Sequence, residues 1–202
     1  MAEPSRGLQI SRRGWLLAGL TAPLLRAWAA GSLTVTFDGD NLHVSSPDLH
    51  FLSGKPLVRL KEGSTVEFVA RITLYRDAWL TPWKHSDARF SLSYDVFEED
   101  RFTVNMPGPP PRRAVNLSAA ATEAWCLDKI WIAATGIAPD RQFWVRLDLG
   151  NVSQKDLSSV LGETGIRIDL VDVFSKPGED TPITRQAGPL RLAGLARAPG
   201  GG

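Results

Sequence analysis

The chain of 202 residues carries 43% apolar, 22% charged and 8% aromatic side chains, the balance of an ordinary globular protein long enough for one domain of normal size. That balance excludes a collagen-like, coiled-coil or wholly disordered chain. Twenty-three Lys and Arg against 22 Asp and Glu give a net charge of +1, so bulk electrostatics point to no nucleic acid or other polyanion as a partner.

The N-terminus holds Arg6, Arg12 and Arg13, then the uncharged run Gly14 to Leu25, then small residues around Ala27-Trp28-Ala29. A basic segment, a short apolar segment and an A-x-A site form the layout of a cleaved export signal, here placed over residues 1–29. The run has about twelve residues, whereas a spanning helix needs roughly twenty, so no permanent membrane span is expected after cleavage. Ser11-Arg12-Arg13-Gly14-Trp15-Leu16-Leu17 is similar to the twin-arginine export motif, and Arg26 fits that route. A Sec signal that happens to contain paired arginines is the alternative. Removal of the signal takes four arginines and Glu3 with it and leaves a slightly acidic protein, periplasmic or secreted. The single cysteine, Cys126, excludes an internal disulfide framework and a thiolate-based zinc site. Its setting, Ala124-Trp125-Cys126-Leu127, reads as a buried small hydrophobe.

Period-two alternation dominates the body of the chain. Leu33, Val35 and Phe37 alternate with polar residues, Asp38-Gly39-Asp40-Asn41 offers a turn, and Leu42 and Val44 resume the alternation as a hairpin. Lys61-Glu62-Gly63 makes the next turn, after Leu57 to Leu60. The longest strand follows, with Val66, Phe68, Ala70, Ile72 and Leu74 on one face, and Ala88, Phe90, Leu92, Tyr94 and Val96 repeat the pattern. Glu98-Glu99-Asp100 turns the chain into Phe102, Val104 and Met106. Pro107 to Pro111 is an extended loop, because repeated prolines remove ladder donors. Ser118 caps a helix near Ala119–Leu127, with a switch near Asp128 into a strand over Lys129–Ala133. Phe143, Val145, Leu147 and Leu149 form another strand. A second helix is expected near Gln154–Leu161, and a late strand through Ile166, Ile168 and Leu170. The stretch 176–202 lacks a sustained apolar period and reads as a flexible tail. The expectation is a mainly β protein: an antiparallel β-sandwich, immunoglobulin-like or similar, of about eight strands over 30–175 with one or two short helices.

Catalysis has no positive support in this pattern. His43, His50 and His85 are dispersed and show no metal-ligand spacing, no G-x-S-x-G occurs, and no glycine-rich phosphate loop follows a strand. No cofactor, metal or catalytic residue is therefore assigned. The cluster Asp95, Glu98, Glu99 and Asp100 is a candidate source of paired carboxylates for glycoside hydrolysis, although acidic residues in a tight turn are usually only solvated.

The aromatic residues carry the remaining signal. Trp125, Trp131 and Trp144 lie inside regular elements and are expected to fill the core. Trp79 and Trp83 instead fall in Asp77–Asp87, a connection that also offers Lys84 and His85. A tryptophan combines a flat apolar face with an N–H at its edge, which suits sugar rings or a protein partner. Trp79, Trp83, Lys84 and His85 are therefore the expected partner-binding residues, unless one indole folds back as a lid over the end of the core.

The order of features from Leu52 to Phe174 resembles, loosely, a group of small exported bacterial proteins of unknown function. The likeness rests on Gly54-Lys55-Pro56-Leu57, Ser93-Tyr94-Asp95-Val96-Phe97-Glu98-Glu99, Glu123-Ala124-Trp125-Cys126-Leu127 and Phe143-Trp144-Val145-Arg146-Leu147. It implies export and a β-rich fold, and no activity, cofactor or catalytic residue. The expected function is a non-catalytic binding or interaction module of the bacterial envelope, with an envelope protein or glycan as partner. The alternative is a glycan-acting envelope enzyme using the carboxylates near Asp95–Glu99.

Overall fold

The computed structural model describes residues 32–98, 100–152 and 182–197. The export signal over 1–29, the helix near Gln154–Leu161 and the strand through Ile166–Leu170 lie outside the described residues. In chain order the elements are β1 (Thr34–Phe37), β2 (Asn41–Ser45), α1 (Gly54–Lys61), β3 (Val66–Tyr75), β4 (Pro82–Tyr94) and β5 (Phe102–Met106). They continue with β6 (Arg112–Leu117), α2 (Ala119–Asp128), β7 (Trp131–Ala133), β8 (Phe143–Val152), β9 (Ile183–Leu190) and β10 (Ala196–Arg197). Two sheets result, one in the order β10-β1-β2-β7 and one in the order β6-β5-β4-β3-β8-β9. Neighbouring strands are antiparallel except β1 beside β10. The protein is mainly β, and two α-helices stand among the described residues.

Alternation works because each sheet has one apolar face. Val66, Phe68, Ala70, Ile72 and Leu74 of β3 lie directly opposite Leu92, Phe90, Ala88, Ser86 and Lys84 of β4. Val145, Leu147 and Leu149 of β8 continue the same rows. The apolar members of these rows share one cluster with Val35, Leu42 and Val44 of the smaller sheet. The opposite face of β3 carries a polar ladder in which Arg71 holds Asp87 through two bonds, Nε at 2.7 Å and Nη2 at 3.3 Å. Of that alternation, Val66, Phe68, Ile72, Leu74, Phe90, Leu92, Phe102, Val145 and Leu147 are buried, whereas Val96, beyond the end of β4, is exposed and Tyr94 is half-buried. Its ring packs edge-on against Phe102 while its hydroxyl accepts the Asp100 N–H at 3.0 Å, and that polar end keeps it at the cluster's margin.

Four expectations change. Leu57 to Leu60, read only as the residues leading to a turn, belong to α1, which buries Pro56 and Leu60 and packs the half-buried Leu57 on the core. The Gly63 turn is that helix's end: Ser64 N–H bonds Arg59 O at 3.0 Å and Gly63 N–H bonds Leu60 O at 2.9 Å. This is a Schellman cap, and Gly63 supplies its positive φ of 83°. The second change is in the Asp77–Asp87 connection, which closes at Pro82, where β4 begins. The chain reverses over Asp77–Leu80, with positive φ at both Ala78 and Trp79, as hairpin turns prefer. Third, β6 adds an unanticipated edge strand behind the proline loop, its residues mostly exposed.

The fourth change is at the C-terminus. The expected flexible tail does not hold over 182–197, since β9 pairs with β8 along Leu149↔Ile183 to Phe143↔Leu190 and β10 pairs with β1. An edge strand needs partners on one side only, so it tolerates the Pro189 and the polar residues that hid it. The β-rich domain therefore does not stop at 175.

Candidate functional site

The four expected partner-binding residues do not form one surface. Trp79 sits in the reverse turn with its ring edge-on to Tyr75, centroids 5.5 Å apart. Trp83 is the extra residue where the β3–β4 register shifts between Leu74↔Lys84 and Tyr75↔Pro82. It is half-buried and packs on the core, with the Arg76 guanidinium 4.0 Å from its ring and Gly136 close against it. Lys84 shares the core-facing row with Leu74, and its Nζ donates to the carbonyl of Ala133 at 3.0 Å. His85, paired with Thr73, points to the polar face and is exposed. Two of the four thus close the end of the core.

A groove of about 750 Å³ lies elsewhere, between the outer face of the small sheet and α2. One wall begins at the β1–β2 turn. Asp38 Oδ1 accepts the backbone N–H groups of Asp40 at 2.9 Å and Asn41 at 2.6 Å, and Oδ2 lies 2.8 Å from His43 Nε2. The His43 bond first, and the two backbone donors after it, hold the Asp38 carboxyl well below the usual carboxylate range. The sheet register then sets Thr36, His43 and Trp131 in one row across three strands. Trp131 was expected in the core. Ile132 takes the inward position of β7, so the alternation turns Trp131 outward, 45% exposed, as part of the groove wall.

The other wall is α2 with the loop before α1. Ser118 caps the helix by accepting the Ala121 N–H at 3.3 Å. One turn on, Glu123 is buried, and both of its oxygens are used: Oε1 accepts the Leu52 N–H at 2.8 Å and Oε2 lies 3.0 Å from His50 Nδ1. His50 is held by this bond while its side chain remains 69% exposed at the groove. Cys126, fully buried one turn of helix from Thr122, has its thiol pushed up to about 12 by burial and then by the Glu123 charge. Ser46, only 4% exposed, lines the groove with an Oγ that has no hydrogen-bond partner among the described residues. At the rim Lys129 pairs with Asp128 at 2.6 Å, and Arg112 closes one end.

The groove therefore offers a partly exposed indole and two imidazoles, each anchored by its own carboxylate. Among the described residues no group of three His, Cys, Asp or Glu is arranged to hold a metal ion. The acidic turn after β4 is a separate feature: Asp95 Oδ1 accepts the Phe97 N–H at 2.9 Å and the Glu98 N–H at 3.4 Å, so it shapes the turn. Glu99 lies outside the described residues. Neither His43 nor His50 stands at a spacing in the sequence that marks a site. His50 meets Glu123 across 73 residues, a distance no local pattern reveals. No family model, no curated protein and no solved structure matches the chain.

Proposed function

We propose that the protein is an exported, non-catalytic binding module of the bacterial envelope, carried out by a twin-arginine-like signal over 1–29 and left periplasmic or secreted, like the small exported proteins it resembles. Its two sheets would pack as a sandwich, immunoglobulin-like or similar, and present the groove between β2, β7 and α2 as the ligand site. The observation that carries this reading is Trp131, a large aromatic residue left 45% exposed in a groove of about 750 Å³. Ligand sites are concave, with apolar walls and a few fixed polar groups, and span roughly 300–1,000 Å³. The groove's polar side chains are already anchored by the protein, which suits recognition. The glycan-acting enzyme gains nothing from the Asp95 turn, whose lead carboxylate is occupied by its own backbone.

Co-purification from the native envelope tests the proposal. The full chain should recover a partner or wall fragment, and Trp131→Ala should lose most of it while keeping its melting temperature. Equal recovery by both proteins would remove the groove from the account. Changing Arg12-Arg13 to Lys-Lys should trap the precursor in the cytoplasm on the twin-arginine route, whereas normal export of that variant assigns it to Sec.

A further inference from the structure

The chemistry of the groove walls narrows the class of ligand. Most charges at the site are matched within the protein: Asp38 by two backbone N–H groups and His43, Glu123 by the Leu52 N–H and His50, Asp128 by Lys129. Arg112, at one end, is without an ion pair among the described residues, and with both signs on the walls no highly charged ligand finds a uniform complementary field. What the walls present is a set of dipoles beside an aromatic face. The imidazoles and the Asn41 amide supply donors and acceptors.

We propose that the groove binds a neutral oligosaccharide, with Trp131 as the platform under one sugar ring and His43 and Asn41 as hydrogen-bond partners of its hydroxyls. A pyranose has the required duality: its C–H face packs on an indole while its equatorial hydroxyls reach sideways to polar groups. The row Thr36–His43–Trp131 puts hydroxyl, imidazole and indole side by side on one sheet face, so a ring stacked on Trp131 has His43 at its edge. The groove extends past that row to Ser46 and His50 at the α2 wall, room for more than a single ring. This assignment rests on the groove being the binding site.

The test titrates the full mature protein with maltotriose and, separately, with N,N′,N″-triacetylchitotriose, both neutral, following tryptophan emission and heat. At least one trisaccharide should bind, with a blue-shifted emission that Trp131→Ala abolishes. Trp131→Ala should weaken binding at least tenfold, a loss of about 1.4 kcal/mol, and Trp131→Phe should retain most of it. Melting curves of the variants should overlay that of the parent, since Trp131 lies outside the core. Absence of binding of both sugars up to about 10 mM, well beyond the usual weak-ligand range, overturns the oligosaccharide assignment. Loss of envelope capture by Trp131→Ala in the same preparation would then leave the groove as the site of a different ligand. Sugar binding untouched by Trp131→Ala overturns the placement.

Discussion

Burial decides what Cys126 can do. The thiol is enclosed in the core cluster, so its thiolate would stand in an apolar site near the Glu123 carboxylate, and the acid form is favoured up to about pH 12. A thiol reagent should therefore react only as fast as the protein unfolds, and one equivalent should appear at once in denaturant. The linkage has a definite sign. The folded value lies above the ordinary 9.0, so the stabilisation is complete below pH 9 and declines as pH rises from there toward 12, by an amount on the order of 4 kcal/mol over the whole span. The advantage of the parent over Cys126→Ala in chemical denaturation should accordingly shrink between pH 8 and pH 10.5. A constant difference would mean that the thiol is not in the apolar environment described. Asp38 runs in the opposite direction. Its lowered carboxyl stabilises the β1–β2 turn above the ordinary carboxylate range and loses that effect as the pH falls below it, though its exposure keeps the contribution small.

At the scale of elements, Trp83 separates a contact residue from a packing residue. The indole lies on the core cluster under Arg76, with the Gly136 backbone against it, so truncation leaves a cavity at the end of the sheet. Trp83→Ala should lower stability by about 3 kcal/mol in a urea melt and leave ligand recovery per folded molecule unchanged. A normal melt with lost recovery would restore the turn as the contact site. The same stretch shows what the sequence makes legible. From Val66 to Leu74 one face is uniformly apolar, and the strand is plain from its period. In the first half of β4 the core-facing row is Lys84, Ser86 and Ala88, because the core thins there, and the period fades with it. The α1 helix buries only Pro56 and Leu60, too few positions over eight residues to display a helical repeat, so its Schellman glycine was visible only as a turn. The sequence hides the direction of Trp131 for a related reason: flanked by Ile130 and Ile132, both buried, an indole in a three-residue strand looks like core until the register shows which way it faces.

The whole molecule depends on its last described segment more than any local pattern suggests. Along 182–197 the chain first adds β9 to the edge of the large sheet and then β10 to the edge of the small one, so one stretch ties both sheets together. Between them, Leu192 and Leu195 pack on the core cluster and Ala193 N–H bonds the Pro139 carbonyl at 3.1 Å. At Gly188 the backbone passes so close to the Trp144 ring that an added Cβ would fall 2.7 Å from its Cγ, the mark of a packed strand and not of a loose end. Deleting residues 182–202 would expose the edges of β8 and β1, with their unpaired N–H and C=O groups. If the segment were a tail, the deletion would leave the melt unchanged. With β9 in place as an edge strand, the shortened protein should melt at least 10 °C lower, as the loss of a few kcal/mol from a domain of this size implies, and should elute as aggregate in size-exclusion chromatography. The milder variant Gly188→Val keeps the chain length and drives a side chain into Trp144. It should lower the melting temperature in the same direction, and an unchanged value for both proteins would detach the C-terminal strands from the fold.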